Sequence, residues 1–279
     1  MWVSLGNIGS GASVHLQFEL AQLLEIDNNK GEANVQWQRK RLGNMDILAN
    51  IEEVKKRVAA ACKRSGRDPK DVKILPVSKN HPAEDIKILY DAGWREFGEN
   101  YVQELRNKHD ELPDDIHWNM IGHMQRNKVK YIASYIEEIH SVDTVKLLHT
   151  IEKEGRKADR VIPVLIEVNV GREESKFGVM PDLDDCMALA NETLELPHVE
   201  LRGLMTSAPY YDDIEQDRPI FRKLKELLDE MNQANDQLHL TELSMGMTHD
   251  FEIAVEEGST CVRVGTAIFG KRDYSNKGY

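Results

Sequence analysis

Cysteine is scarce in this 279-residue chain. Cys62, Cys186 and Cys261 are odd in number, lie far apart and form no C-x-x-C. That excludes a disulfide framework and a zinc knuckle, and leaves three free thiols suited to a reducing compartment. No apolar run approaches the ~20 residues a membrane helix requires. Positive charge is short as well: 36 Lys and Arg face 48 Asp and Glu, a formal net charge of -12. No Lys/Arg block is dense enough to overcome repulsion from a phosphate backbone. Nucleic acid and membrane are therefore excluded as main partners. The beginning of the chain lacks the early positive charge of a secretory signal, since apart from His15 its first basic side chain is Lys30. A soluble, cytoplasmic monomer is expected.

Residues 1–44 read differently from the rest. Gly6, Gly9 and Gly11 interrupt the start, His15–Ile26 has the pattern of one short amphipathic helix, and a polar segment follows. This stretch is read as an appendage of unassigned role, either translated vector or upstream sequence, and 45–279 as the folded domain. Met45 opens a helix with Asp46 as its cap; Ile47, Leu48, Ile51, Val54, Val58 and Ala61 form its apolar stripe and Gly66 stops it.

From residue 72 short apolar runs alternate with amphipathic stretches, the pattern of parallel βα units. The expected strands are Val72–Ser78, Glu96–Gly98, Trp118–Ile121, Glu138–Ser141, Ile162–Val168, Glu200–Met205, Thr241–Ser244 and Val262–Val264. The clearest helix runs from Ile220 to Met231. Eight strands, each followed by a helix, give an α/β fold: a single TIM-type (β/α)8 barrel with an extra N-terminal helix.

In such barrels ligands bind at the C-terminal ends of the strands. Lys79 follows the apolar run Ile74–Val77, which carries its ammonium to the rim of a dry interior. Desolvation favours the neutral amine, the form that attacks an aldehyde to give an imine. Alone, a lysine at a strand end is an ordinary solvent-facing residue. The small residues after the last two strands add to it. Ser244 offers a hydroxyl donor, Gly246 permits close backbone approach, and Gly265-Thr266 opens a helix whose N-terminus favours an anion such as phosphate. Capping is the plain alternative for Ser244 and Thr266. His117 and His123 have no third metal ligand at suitable spacing, and Glu173, Glu174 and Lys176 belong to a polar loop.

The stretches VSK (77–79), FGENYVQE (97–104), HWNMIGHMQRNK (117–128), VDTVK (142–146), EVNVGREESKFG (167–178), GLMT (203–206), ELSMGMTHDFEIAVEEGST (242–260) and VRVGTAIFGKRDY (262–274) resemble the pyridoxal-phosphate homeostasis protein family. That family has the fold of the alanine racemase N-terminal barrel, and the likeness spans roughly residues 46–274. It implies pyridoxal 5′-phosphate (PLP) as cofactor, held as an internal aldimine on Lys79, with Ser244, Gly265 and Thr266 at the phosphate. It implies that Arg263 lies beside the pyridine nitrogen, that Asn100, Ile121 and Asn169 line the cofactor, and that Met245 and Gly246 are near. A guanidinium donates only, so it disfavours protonating the ring and makes it a poorer electron sink.

Two functions follow from the resemblance: a PLP carrier or buffer in vitamin B6 homeostasis, with PLP-dependent apo-enzymes as recipients, or an amino-acid racemase. A racemase needs a second acid/base group across the cofactor plane from Lys79. Alanine racemases take a Tyr from an additional β-domain of a partner subunit, and about a dozen residues remain here after the last strand. A carrier without turnover is therefore expected. A cofactor-free Schiff-base aldolase ranks last, because it leaves the phosphate donors without a purpose.

Overall fold

The first helix among the described residues, α1 (Gly31–Ser65), buries Ile47, Ile51, Val54, Val58, Ala61 and Cys62, one stripe repeating every three to four residues. This computed structural model describes residues 31–174 and 176–271, with side chains from Asp46 onward. The helix expected over His15–Ile26 lies outside the described residues. Two expectations for α1 are corrected. It begins at Gly31, so Asp46 sits within it instead of capping it, and Leu48 is 38% exposed, one step off the buried stripe. Its end is as expected: Gly66 takes φ +71° and Arg67 N–H donates to the Cys62 carbonyl at 2.9 Å, closing a Schellman-type cap.

Eight parallel strands follow: β1 (Lys73–Pro76), β2 (Glu96–Glu99), β3 (His117–Met120), β4 (Ile136–Val142), β5 (Ile162–Glu167), β6 (Val199–Met205), β7 (Glu242–Ser244) and β8 (Cys261–Val264). They pair in the order β1-β8-β7-β6-β5-β4-β3-β2. A parallel bridge between Val77 and Gly98, just past β1, joins the two ends, so the sheet is a nearly closed TIM-type barrel. Both faces of such strands are covered, which is why β1 and β5 read as mostly apolar runs.

The helices are α2 (Ala83–Asp91), α3 (Val102–Glu111), α4 (Val145–Ala158), α5 (Leu183–Thr193), α6 (Arg218–Ala234), α7 (Phe251–Glu256) and α8 (Thr266–Phe269). One crossover departs from the expectation. Between β3 and β4 the chain makes only a 3-10 helix, Arg126–Tyr131, in which Val129 alone is buried. One apolar anchor in six residues gives a longer helix no face to bury. By contrast α6 buries Phe221, Leu224, Leu227, Leu228 and Met231 on one side.

Gly122, in the loop after β3, marks a close approach at the barrel mouth. A Cβ there would stand 2.3 Å from the Asn100 carbonyl oxygen and 2.8 Å from its Cα. Backbone cannot swing aside as a side-chain tip can, so Gly122→Ala is expected to cost about 1–3 kcal/mol. Urea unfolding with a midpoint equal to that of the unsubstituted protein would contradict this packing.

Candidate functional site

β1 ends by turning sharply. The His81 N–H donates to the Ser78 carbonyl at 3.0 Å, and Asn80 takes φ +60°, as the third residue of a type II turn must. Lys79 is the second residue of that turn. A buried ion network grips the turn from beneath. Lys108 Nζ on α3 donates to the Ser78 carbonyl, Glu99 Oε1 and Glu104 Oε1, each at 2.7 Å. Ser78 Oγ donates to Glu99 Oε1 at 2.6 Å, and Asn80 N–H to Glu104 Oε1 at 2.6 Å. Residues on both sides of Lys79 are thereby tied to α3. Burial pushes the Glu99 carboxyl up to about 7, against the opposing pull of Lys108.

Six of the ten residues expected at the site, Lys79, Asn100, Ile121, Arg263, Gly265 and Thr266, line one cavity of about 260 Å³ at the C-terminal ends of the strands. Val77, Ser207, Met247, Thr248 and His249 complete it. Arg263 is 4% exposed and held rigidly. Nη1 donates to the Ser244 carbonyl at 2.7 Å and Ser244 Oγ at 2.8 Å, while Nη2 donates to the Thr206 carbonyl at 2.8 Å and Ser207 Oγ at 3.2 Å.

The other four lie elsewhere, for reasons that can be stated. The Ser244 hydroxyl is committed inside the barrel, between Arg263 Nη1 and His140 Nδ1 at 2.9 Å. His140 is on β4 and Ser244 on β7, with two strands between them in the sheet, so the contact crosses the barrel interior. His140 Nε2 in turn lies 2.7 Å from Glu138 Oε2. Burial keeps the His140 imidazole below its usual range, hence neutral, and Nδ1 can accept the serine proton. Gly246 has φ +94°, and a Cβ there would meet the Ala254 Cβ at 2.6 Å and the Phe251 Cα at 2.9 Å. Helix packing, not room for a ligand, explains this glycine. Met245 is fully buried. Asn169 staples its own loop, with Nδ2 donating to the Glu173 carbonyl at 2.8 Å and Oδ1 accepting from Glu173 N–H at 3.1 Å.

Sequence reasoning missed Thr248, His249 and the interior chain through His140 and Glu138. Thr248 Oγ1 accepts the Ala267 N–H at 3.3 Å, fastening the loop after β7 to α8. With four residues, α8 has too short an axis for the dipole expected of it, and what it presents at the cavity is Gly265, Thr266 and their backbone. Glu138 and His140 did leave a signal: two polar residues two apart fall on one face of β4. Among the described residues no group of three or more His, Cys, Asp or Glu is arranged to hold a metal ion. His123 instead stacks on Phe177, with ring centroids 3.7 Å apart. No helix among the described residues is long and apolar enough to cross a membrane.

A strand-end lysine, a buried arginine and a small-residue turn around one barrel mouth define a class. It is the alanine racemase N-terminal domain, whose family model matches residues 46–273. An alanine racemase of Clostridium difficile 630 shares the fold at TM-score 0.61, with 13% identity, over 83% of this chain and 58% of that one. More narrowly, the chain belongs to the pyridoxal phosphate homeostasis protein family. It is 46% identical over 231 residues to the protein of that name from Aquifex aeolicus (strain VF5), covering 82% of this chain and 100% of the relative. It is 36% identical over 239 residues to that of Escherichia coli (strain K12), covering 83% and 99%. The structure of PipY of Synechococcus elongatus PCC7942 with PLP bound superposes at TM-score 0.67, with 36% identity, over 78% of this chain and all of that one.

Proposed function

We infer that the chain binds PLP in the Lys79 cavity as a Schiff base and acts in B6 homeostasis as a carrier or buffer. The observation that carries this reading is the shared wall: Lys79, Arg263, Gly265 and Thr266 face one cavity. An amine, a fixed cation and a turn of small residues are the donor set that an aldehyde-bearing aryl phosphate needs. Lys79 supplies the nucleophile, and the Gly265-Thr266 turn supplies backbone N–H groups to the phosphate. The Thr248 hydroxyl, which accepts from Ala267 and keeps its own proton to donate, takes the part first expected of Ser244. Arg263, backed by Ser244, His140 and Glu138, is the partner of the ring nitrogen. A donor-only group there leaves the ring unprotonated, which restrains carbanion chemistry and favours holding the cofactor over using it.

Two relations to other proteins support the reading. The relatives are named homeostasis proteins, and PipY at 36% identity carries PLP.

Full-length protein mixed with PLP and desalted should keep a visible absorption band, which borohydride removes while fixing the cofactor to the peptide containing Lys79. Lys79→Ala should lose both the band and the labelled peptide. A colourless unsubstituted protein, or label on another lysine, would overturn the assignment. For the carrier role, heavy-water incubation with alanine should show no Cα deuterium uptake above the free-PLP rate; faster uptake would favour the racemase.

A further inference from the structure

The crossover between β3 and β4 breaks the ring of helices around the barrel. Its 3-10 helix buries Val129 alone, and Tyr131 at its end is 40% exposed. Three cations converge on the Tyr131 ring. Arg106 Cζ, from α3, lies 4.7 Å from its centroid, Lys130 Nζ 4.9 Å and Lys128 Nζ 5.8 Å. Each such contact is worth only about 0.5–1 kcal/mol at an exposed ring, yet it seats a long side chain that would otherwise sweep through solvent.

The cationic band continues to the barrel mouth. Lys128 lines a compartment of about 600 Å³ that shares Asn100, Ile121 and Ser207 with the Lys79 cavity. Arg126 and Lys146 line a groove of about 590 Å³ beside it, and His123 and Gln125 belong to both. None of these five cations makes an ion pair among the described residues, although the chain carries 48 acidic side chains. Along α1 and α6, by contrast, Arg57, Arg64, Arg218 and Arg222 each take a carboxylate. The carboxylates near the band are already engaged. Asp143 in the groove faces His123 at 3.7 Å, and Glu104 is held by Lys108. Burial, with Asp143 adding to it, pushes the Glu167 carboxyl up to about 7 against the pull of Arg263 and Lys176.

We propose that this band is a docking surface for an acidic segment of a partner protein, whose Asp and Glu side chains pair with Arg106, Arg126, Lys128, Lys130 and Lys146 while Tyr131 supplies apolar contact. The balance of charge selects that class. A long phosphate polymer would overrun the band onto a body of net charge -12 and be repelled, whereas a short acidic segment ends where the cations end. Cations already seated on a ring lose less side-chain freedom when a carboxylate arrives. The position of the band brings such a partner beside the Lys79 cavity. Any use of that proximity rests on the reading above; the surface itself does not.

An NMR titration of full-length, ¹⁵N-labelled protein without added PLP tests the proposal, with a peptide of twelve glutamates, a peptide of twelve lysines and a twelve-nucleotide thymidine strand as probes. At low ionic strength the glutamate peptide should shift the amides of 126–131, Arg106 and Lys146, and the lysine peptide should not. Raising the salt should weaken the effect by about tenfold or more, as screening of exposed charges requires. Arg106→Glu combined with Lys130→Glu should also weaken it by about tenfold or more. Lys63→Glu combined with Lys70→Glu changes the net charge equally, on α1 and ahead of β1, and should leave it nearly unchanged. No shifts within the band, equal weakening by the control pair, or tighter binding of the thymidine strand at the same residues would each overturn the surface. Because no cofactor is present, failure here is distinct from failure of the Lys79 assignment, which the borohydride experiment reads.

Discussion

Lys108→Met is expected to destabilise the barrel by about 3–5 kcal/mol at pH 8, because it removes one partner from a buried ion network and leaves the others uncompensated. The side chains of Lys108, Glu99 and Glu104 are 7%, 0% and 5% exposed, so solvent cannot take over the lost hydrogen bonds. Methionine matches the lysine stem in bulk, which makes cavity formation a minor part of the effect. For a domain of this size the loss corresponds to a fall in melting temperature of roughly 6–20 °C. A second arm identifies the cause. Adding Glu99→Gln and Glu104→Gln to Lys108→Met should recover most of the loss, since neutral groups of similar shape tolerate burial far better than unpaired charges. If urea unfolding put the single variant within 1 kcal/mol of the unsubstituted protein, or if the triple variant were the least stable, the network would not be the clamp described. The same variant bears on function. With the Ser78 carbonyl released and the carboxylates that hold Ser78 Oγ and Asn80 N–H left without their cation, the turn presenting Lys79 loosens, and the borohydride-fixed fraction at Lys79 should fall even where the barrel remains folded.

The positions of all eight strands could be read from the chain, because each is a short stretch set between amphipathic segments and that alternation is local. Their edges could not. Val77 and Ser78 read as strand because they extend an apolar run, yet they lie past the end of β1, where Val77 bridges Gly98 at the seam and donates its N–H to the Val264 carbonyl at 2.9 Å. The 3-10 crossover was hidden because RNKVKY has no periodicity to read in either direction. At the mouth, Lys79 and Gly265-Thr266 were legible as motifs, since strand end and turn carry their own signatures. The surroundings of Ser244 were not legible, for the opposite reason. Its hydroxyl is claimed by Arg263, 19 positions away, and by His140, 104 positions away, and neither claim exists until the barrel closes. Lys108 stands four residues after Glu104, a spacing typical of an exposed helical ion pair; only tertiary packing turns that pair inward, beneath Lys79.

Glu167→Gln should be more stable than the unsubstituted protein by roughly 1–3 kcal/mol at pH 8 and no different at pH 4. The argument is one of proton linkage. An unfolded glutamate ionises from about 4.5, whereas the folded Glu167 holds its proton until about 7. Between those values the native state binds more protons than the unfolded one, so stability falls as pH rises through the window and is level above it. At about 1.36 kcal/mol per unit the full shift is worth roughly 3 kcal/mol, and partial exposure of the residue reduces that. Glutamine does not ionise and feels none of it. The raised Glu99 carboxyl slopes the same way in both proteins, so it cancels in the difference. Urea unfolding at pH 4, 5.5, 7 and 8.5 reads the two curves, and parallel curves would refute the linkage.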